Sequence, residues 1–464
     1  MNTAPQNDTA ADRRPHMPAA LHTPDTDQPS PGHRPPRARA HLGAFIARLT
    51  APSARPILVP LLAVFLALLV CFIAIWLTGK DPVAGYQKMF MGGLGSLRAL
   101  GDSSTRAAIL ALTGLSVTIA FAVGLFNIGG EGQLVAGAIA AAFVGQAIQP
   151  GSALVHLPLA LIAAMLAGAA LALIAAWLKV RRGVHEVIST IMLNWTVIYL
   201  VEGWLVTGPL QARSLQGHAL PGTAQIAATA ELPRFFGLKS DLGFAILLAA
   251  LVALAAWVFL HKSWLGFELR ASGNSPQTAR ASGIAVERRV YLAMALSGAC
   301  AGLAGALIIL GMHRQYPAIF RPGYGFDGIA VSLIGGNHPL GVLLAACFFG
   351  VIRAGGTSLQ LLQIHRTFPE LIQGLALLFI AGKAIFDHGL GQIFRKVSSL
   401  PPSNARPADK QPFADAPESR SQTAAPMTAA PKPATPEDAA PMTSPDTGAG
   451  EGSSPADTAS PTPG

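Results

Sequence analysis

Three polar interruptions in apolar sequence, and one short glycine-rich piece, carry the side chains that could do chemistry in this chain. The first, GLFNIGGEGQLVAGAIAAAF (124–143), sets Asn127, Glu131 and Gln133 among glycines between two apolar runs. Glycine gives backbone freedom and close approach, while two amides and a carboxylate offer donors and acceptors to a polar ligand. A carboxylate at membrane depth is costly and points to function. A carboxylate in an interfacial turn merely sits in headgroup water, and the residues fit both readings. The second stretch, VRRGVHEVISTIMLNWTVIYL (180–200), opens on Arg181 and Arg182 and sets Glu186 one turn further in. It brings Asn194 and Trp195 to the middle of an apolar run, where Asn194 needs a partner across a helix interface or in a pore. His185 reads as an interfacial polar residue rather than a ligand. The third, WLGFELRASGNSPQTARASGIAVERR (264–289), is too polar to span a bilayer. Its TARASGIAV portion (278–286) fits a short amphipathic helix with Gly283 near the end. Arg270 and Arg280 suit either a surface for docking a partner protein or an ordinary basic loop. The short piece, GYGFDGIAVSLIGG (323–336), carries Asp327, which either lines a pathway or caps the start of a helix.

Several chemistries are excluded. AGKA (381–384) lacks both the upstream glycine and the Ser/Thr after Lys383 that a phosphate-binding loop requires. No HExxH motif, nucleophile elbow or Cys/His ligand cluster occurs, so the sequence supports neither an enzyme nor a bound metal or cofactor. Cys71, Cys300 and Cys347 each lie inside apolar runs, as small packing residues do.

The elements that must position these groups are membrane helices. The 464 residues are 51% hydrophobic and only 12% charged, and the charge lies disproportionately in Pro-rich flanks. Soluble domains carry about a quarter charged residues. The fold class expected is an all-α polytopic bundle of about ten transmembrane helices. Apolar runs at 56–78, 107–125, 134–150, 157–178, 188–206, 242–260, 290–312, 338–357 and 367–386 read as spans. The piece at 323–336 is too short for a regular span and reads as a half-helix or re-entrant element, which survives at membrane depth only inside protein or beside a cavity. GACAG (298–302), followed by Gly305, marks a helix face for close packing. A membrane domain is thus expected at 56–390, between disordered tails at 1–55 and 391–464 whose composition buries too little apolar surface to order. The first apolar run begins too far from Met1, and is too long, for a cleavable signal. The loops 179–187 and 261–289 hold eight Lys/Arg in 38 residues, so both are expected on the cytoplasmic side with both termini. The net charge of +9 therefore records topology and calls for no nucleic-acid partner.

Taken together, FNIGGEGQ (126–133), EVISTIMLN (186–194), GFELRASGNSPQTARASGI (266–284) and GYGFDGIAVSLIGGNHPLG (323–341) resemble the permease subunits of bacterial ATP-binding-cassette importers for nucleosides and simple sugars. The resemblance covers about residues 57–390, and the FNIG-EGQ form is similar to the nucleoside branch. It implies a type II importer half in the inner membrane, with two ATPase domains or subunits supplied by other chains. It also implies a second, unlike permease and a periplasmic or lipoprotein-type binding protein. The 261–289 loop would be the element that couples to the ATPase, with Gly266, Glu268, Arg270, Ala271, Gly273, Gly283 and Ile284 matching its motif. A polar solute needs a few converging donors and acceptors in an apolar wall. The candidates are Asn127, Glu131, Gln133, Asn194 and Asp327, with Phe126 or Trp195 to stack on a base. The rival readings are a permease for ribose-like sugars or branched-chain amino acids, and an ion-coupled secondary transporter, for which only Glu131 and Asp327 would qualify as deep carboxylates.

Overall fold

A computed structural model describes residues 55–382, apart from 149–150, 214–216, 235–242 and 366. The tails expected at 1–55 and 391–464 lie outside the described residues, but for Arg55. Each of the ten expected apolar segments is helical: α1 (Arg55–Leu77), α3 (Leu97–Ala122), α4 (Gly130–Ala147), α5 (Ala153–Arg182), α6 (Glu186–Leu200), α7 (Phe244–Lys262), α10 (Val286–Leu307), α11 (Tyr324–Ile334), α12 (Pro339–Gly355) and α13 (Phe368–Gly382). Seven are long and apolar enough to cross a membrane, α6 and α12 reaching that length through the turns that continue them. The half-helix expected at 323–336 is the eleven-residue α11, about 16 Å long and so about half the bilayer core.

Local sequence sets several boundaries. Asp81 accepts from the amides of Val83 and Ala84, and Pro82 follows at the first helical position, which starts α2 (Pro82–Leu94) where the sequence reading expected only a loop. Ser263 and Ser275 cap α8 (Trp264–Asn274) and α9 (Pro276–Ala281) in the same way. The polar 264–289 stretch is therefore two capped helices rather than the single one anticipated. A left-handed Gly183 ends α5. Between α6 and α7 a short hairpin, β1 (Gln211–Arg213) and β2 (Ala219–Thr223), pairs antiparallel.

The bundle is built around α3 and α10, which are buried along most of their length. Small residues let α10 approach its neighbours. A Cβ at Gly298 would strike Gly168 on α5, one at Gly302 would strike Ala164, and one at Gly305 would strike Leu134 on α4. The peripheral helices α1, α5, α6 and α7 turn Leu, Ile, Val and Trp side chains outward. At one end of the bundle, the end of α3 meets α8, where Gly124 packs on the backbone of Gly273. At the other end, β2 meets the segment after α10, through Thr223 N–H donating to the Tyr316 carbonyl at 2.9 Å.

Candidate functional site

Two helices begin inside the bundle rather than at its ends, and they begin against each other. Residues 125–129 run without regular structure from the end of α3 to Gly130, where α4 starts. The segment after α10 likewise re-enters the bundle before α11 starts at Tyr324. Gly130 and Gly325 touch at this junction, and a Cβ on Gly325 would overlap the Glu131 backbone. Glu131 closes it. Its carboxylate accepts from the Gly323 amide at 2.8 Å and the Gly325 amide at 2.7 Å, so the first turn of α4 caps the N-terminus of α11. A carboxylate is favoured there by both the free N–H groups and the helix dipole.

Behind the junction the amides form one network. Asn127 Nδ2 donates to Gln133 Oε1 at 2.9 Å and to Ser297 Oγ at 2.7 Å. Gln133 Nε2 donates back to Asn127 Oδ1 at 3.1 Å, and that oxygen also takes the Gly129 amide. Ser297 in turn donates to the Ser116 carbonyl. Asn194 reaches across from α6, accepting from Gly132 N at 2.8 Å and donating to the Ile128 carbonyl at 2.8 Å. Asn127, Glu131, Gln133 and Asn194 are thus gathered in one buried cluster. Their polar groups serve each other and the broken backbone around Gly129–Gly132, which would otherwise leave unpaired amides in an apolar interior.

The other sequence candidates lie elsewhere. Phe126 is half-buried edge-on against Phe121, with centroids 5.1 Å apart. Trp195 sits at the middle of the α6 span on its outer face, 42% exposed, stacked on Tyr199 with centroids 5.9 Å apart and planes 27° from parallel. Asp327 lies in the first turn of α11 and pairs with Arg353 of α12. Sequence reasoning missed that arginine, and Arg106 too, which bonds Asp102 at 3.0 Å and the Tyr324 hydroxyl at 3.1 Å. The signal was present, since each is a lone arginine in or beside an apolar run. Glu202, at the end of α6, was also missed. It accepts from the Phe320 amide and holds Arg321.

In the α8–α9 unit the motif residues divide by role. Gly266 and Gly273 are close-approach positions, the first against the carbonyls of Phe259 and Leu260 and the second against Ala122 and Gly124. Glu268 pairs with Arg289 at 2.6 Å, which anchors α8 to α10. Arg270 and Gly283 face outward, and Ala271 and Ile284 are half-buried.

A family model described as "Branched-chain amino acid transport system / permease component" matches residues 99–381. The guanosine ABC transporter permease protein NupP of Bacillus subtilis is 36% identical over 347 residues, 73% of this chain and 97% of that protein. The glucose ABC transporter permease protein TsgB13 of Haloferax volcanii is 34% identical over 374 residues, 78% of this chain and 97% of its own length. A second guanosine permease protein of Bacillus subtilis, NupQ, is 29% identical over 282 residues, 58% of this chain and 85% of that one. No solved structure matches the chain.

Proposed function

Because the chain belongs to the branched-chain amino acid transport system permease family, and is thereby a multi-pass inner-membrane permease subunit of an ATP-binding-cassette importer, we propose that residues 56–390 form one half of a pathway for nucleosides or related small polar solutes. Importers of this family work with ATPase and substrate-binding proteins. In our reading the ATPases are separate chains that hydrolyse ATP and engage the outward residues of α8 and α9. The second permease is an unlike relative, as the two guanosine permeases of Bacillus subtilis suggest. Both termini and the α8–α9 end face the cytoplasm, where the basic loops favour them, and a binding protein delivers solute at the hairpin end.

The observation that carries the solute assignment is the outer face of α6. Trp195 and Tyr199 lie well inside a 20-residue span, away from the membrane interfaces where exposed Trp and Tyr ordinarily collect. Their N–H and O–H find no hydrogen-bond partner among the described residues. In lipid such donors are costly; beside a passage for polar solutes they bind, and the stacked rings offer a flat face to a base. The amide cluster of Asn127, Gln133 and Asn194 then acts one layer behind this wall and fixes its shape, while Glu131 and Asp327 fix the re-entrant α11. The sugar reading has support of its own in the similarity to TsgB13.

Co-purification of the tagged chain from its own membranes, followed by mass spectrometry of the ligand on the binding protein, tests the assignment. An ATPase, a second permease and a bound nucleoside are expected. A bound hexose or amino acid overturns the solute, and absence of any ATPase overturns the assembly.

A further inference from the structure

Arg353 has more acidic partners than a static ion pair needs. Its guanidinium touches Asp327 on α11, donates to the Pro322 carbonyl at 2.6 Å, and lies 4.0 Å from the centre of the Tyr324 ring. A second carboxylate, Glu370 on α13, stands 3.9 Å from Nη2, the nitrogen that donates to Pro322. The arginine side chain is only 14% exposed, whereas that of Glu370 is 54% exposed and has room to move. We propose that Arg353 is a positioning residue that changes partner during transport, from Asp327 to Glu370, and so opens and closes the seam between the re-entrant α11 and α13.

Three features favour exchange over a fixed bridge. Asp327 tolerates release, because it lies in the first turn of α11, where the helix dipole favours a carboxylate without Arg353. Arg353 tolerates the move, because five N–H donors let it keep Pro322 or Tyr324 while one arm swings. Arg106, on the other side of Tyr324, is already committed to Asp102 and to the Tyr324 hydroxyl, so it does not take over Asp327. The anchors of the re-entrant segment come from five helices: Arg106 from α3, Glu131 from α4, Glu202 from the end of α6, Arg353 from α12 and Gln373 from α13. Any rocking of these helices against each other must break or exchange some of those contacts. The pair with a spare carboxylate waiting is the one that can exchange without stranding the buried arginine. The proposal rests on the permease assignment and not on the identity of the solute.

The seam contains a reporter position. Gln373 of α13 is buried and donates to the Asp327 carbonyl at 3.0 Å. In the assembled transporter in proteoliposomes, a Gln373→Cys, Cys347→Ser chain would be labelled with N-ethylmaleimide, which needs thiolate and hence water at the seam. If the open state is about a tenth of the resting population, trapping with ATP and vanadate should speed labelling about tenfold. Glu370→Gln should remove that acceleration, and Asp327→Asn should give fast labelling at rest. Glu370→Asp should restore part of the response, which a merely structural loss would not. Labelling that ignores nucleotide in the parent chain, or the same acceleration with and without Glu370, overturns the proposal. Because no solute is added, failure here is distinct from failure of the nucleoside assignment.

Discussion

Replacing Glu131 tests whether its carboxylate holds α11 or meets the solute. It accepts two backbone N–H bonds, from Gly323 and Gly325, in a site that is nearly fully buried. Glu131→Gln keeps one carbonyl oxygen but turns an NH2 toward the other amide, which leaves one buried donor without a partner at a cost of about 1–3 kcal/mol. Glu131→Ala removes both acceptors, and the cost rises to about 2–6 kcal/mol by the same reckoning. At about 2–4 °C per kcal/mol, the glutamine variant should melt about 2–12 °C below the parent chain and the alanine variant lower still. The assay is the apparent melting of the full-length protein purified in detergent, run beside uptake of a radiolabelled nucleoside in cells that express the whole system. Uptake should fall in proportion to the loss of folded transporter. A Glu131→Gln chain that melts with the parent yet fails to transport would refute this reasoning, since it would mean that the carboxylate faces the solute and that α11 is held by other contacts.

Three further outcomes follow from the same geometry. Trp195→Ala should leave melting unchanged, because the side chain is on the outer face, but should raise the KM for nucleoside uptake about 2- to 10-fold for the loss of one aromatic stacking contact; Trp195→Phe should restore most of it, and equal KM values in all three would discard the stacking role. Asn194→Ala strips partners from the Gly132 amide and the Ile128 carbonyl and should lower stability by about 2–6 kcal/mol, read as a fall in melting temperature, with the KM of surviving transporter unchanged. Gly273→Val should uncouple or dissociate the ATPase, because a Cβ there would lie 2.9 Å from Gly124 N and displace α8, whereas Gly273→Ala should do so less; basal and solute-stimulated ATP hydrolysis of the purified complex distinguish these results.

Apolar length carried most of the fold into view. Among the described residues every apolar run read as a span holds a helix, since hydropathy over about twenty residues leaves few alternatives in a membrane. The helix α2 escaped notice because its evidence is local, an Asp–Pro cap on thirteen residues of middling hydropathy. The candidate site was half legible. Asn127, Glu131, Gln133 and Asn194 were found as polar groups out of place, yet their direction was not. A sequence shows that an amide is buried in apolar company, but not whether its partner is a solute or a broken backbone brought from 62 residues away, as Gly132 is for Asn194. Arg106 and Arg353 gave the same kind of signal and were passed over because no motif surrounds them.

The glycines of FNIGGEGQ connect two places that sequence treats separately. At one end Gly124, with φ of +75°, lies against Gly273 of α8, so that movement of α8 bears directly on the start of the unwound segment. At the other end Gly130 and Glu131 abut the N-terminus of α11, so that movement of that segment bears on the re-entrant helix. Between them Asn127 is tied to Ser297 of α10 and Asn194 ties the Ile128 carbonyl to α6. A regular helix over 124–130 would need none of these side chains, since its own ladder would satisfy the backbone. An unwound segment needs them all, and in exchange it can shift as a unit when either end is pushed. The polar cluster therefore holds a stiff, non-helical strut between α8 and α11, and in the proposed pathway the contact with solute falls to the exposed aromatic face of α6.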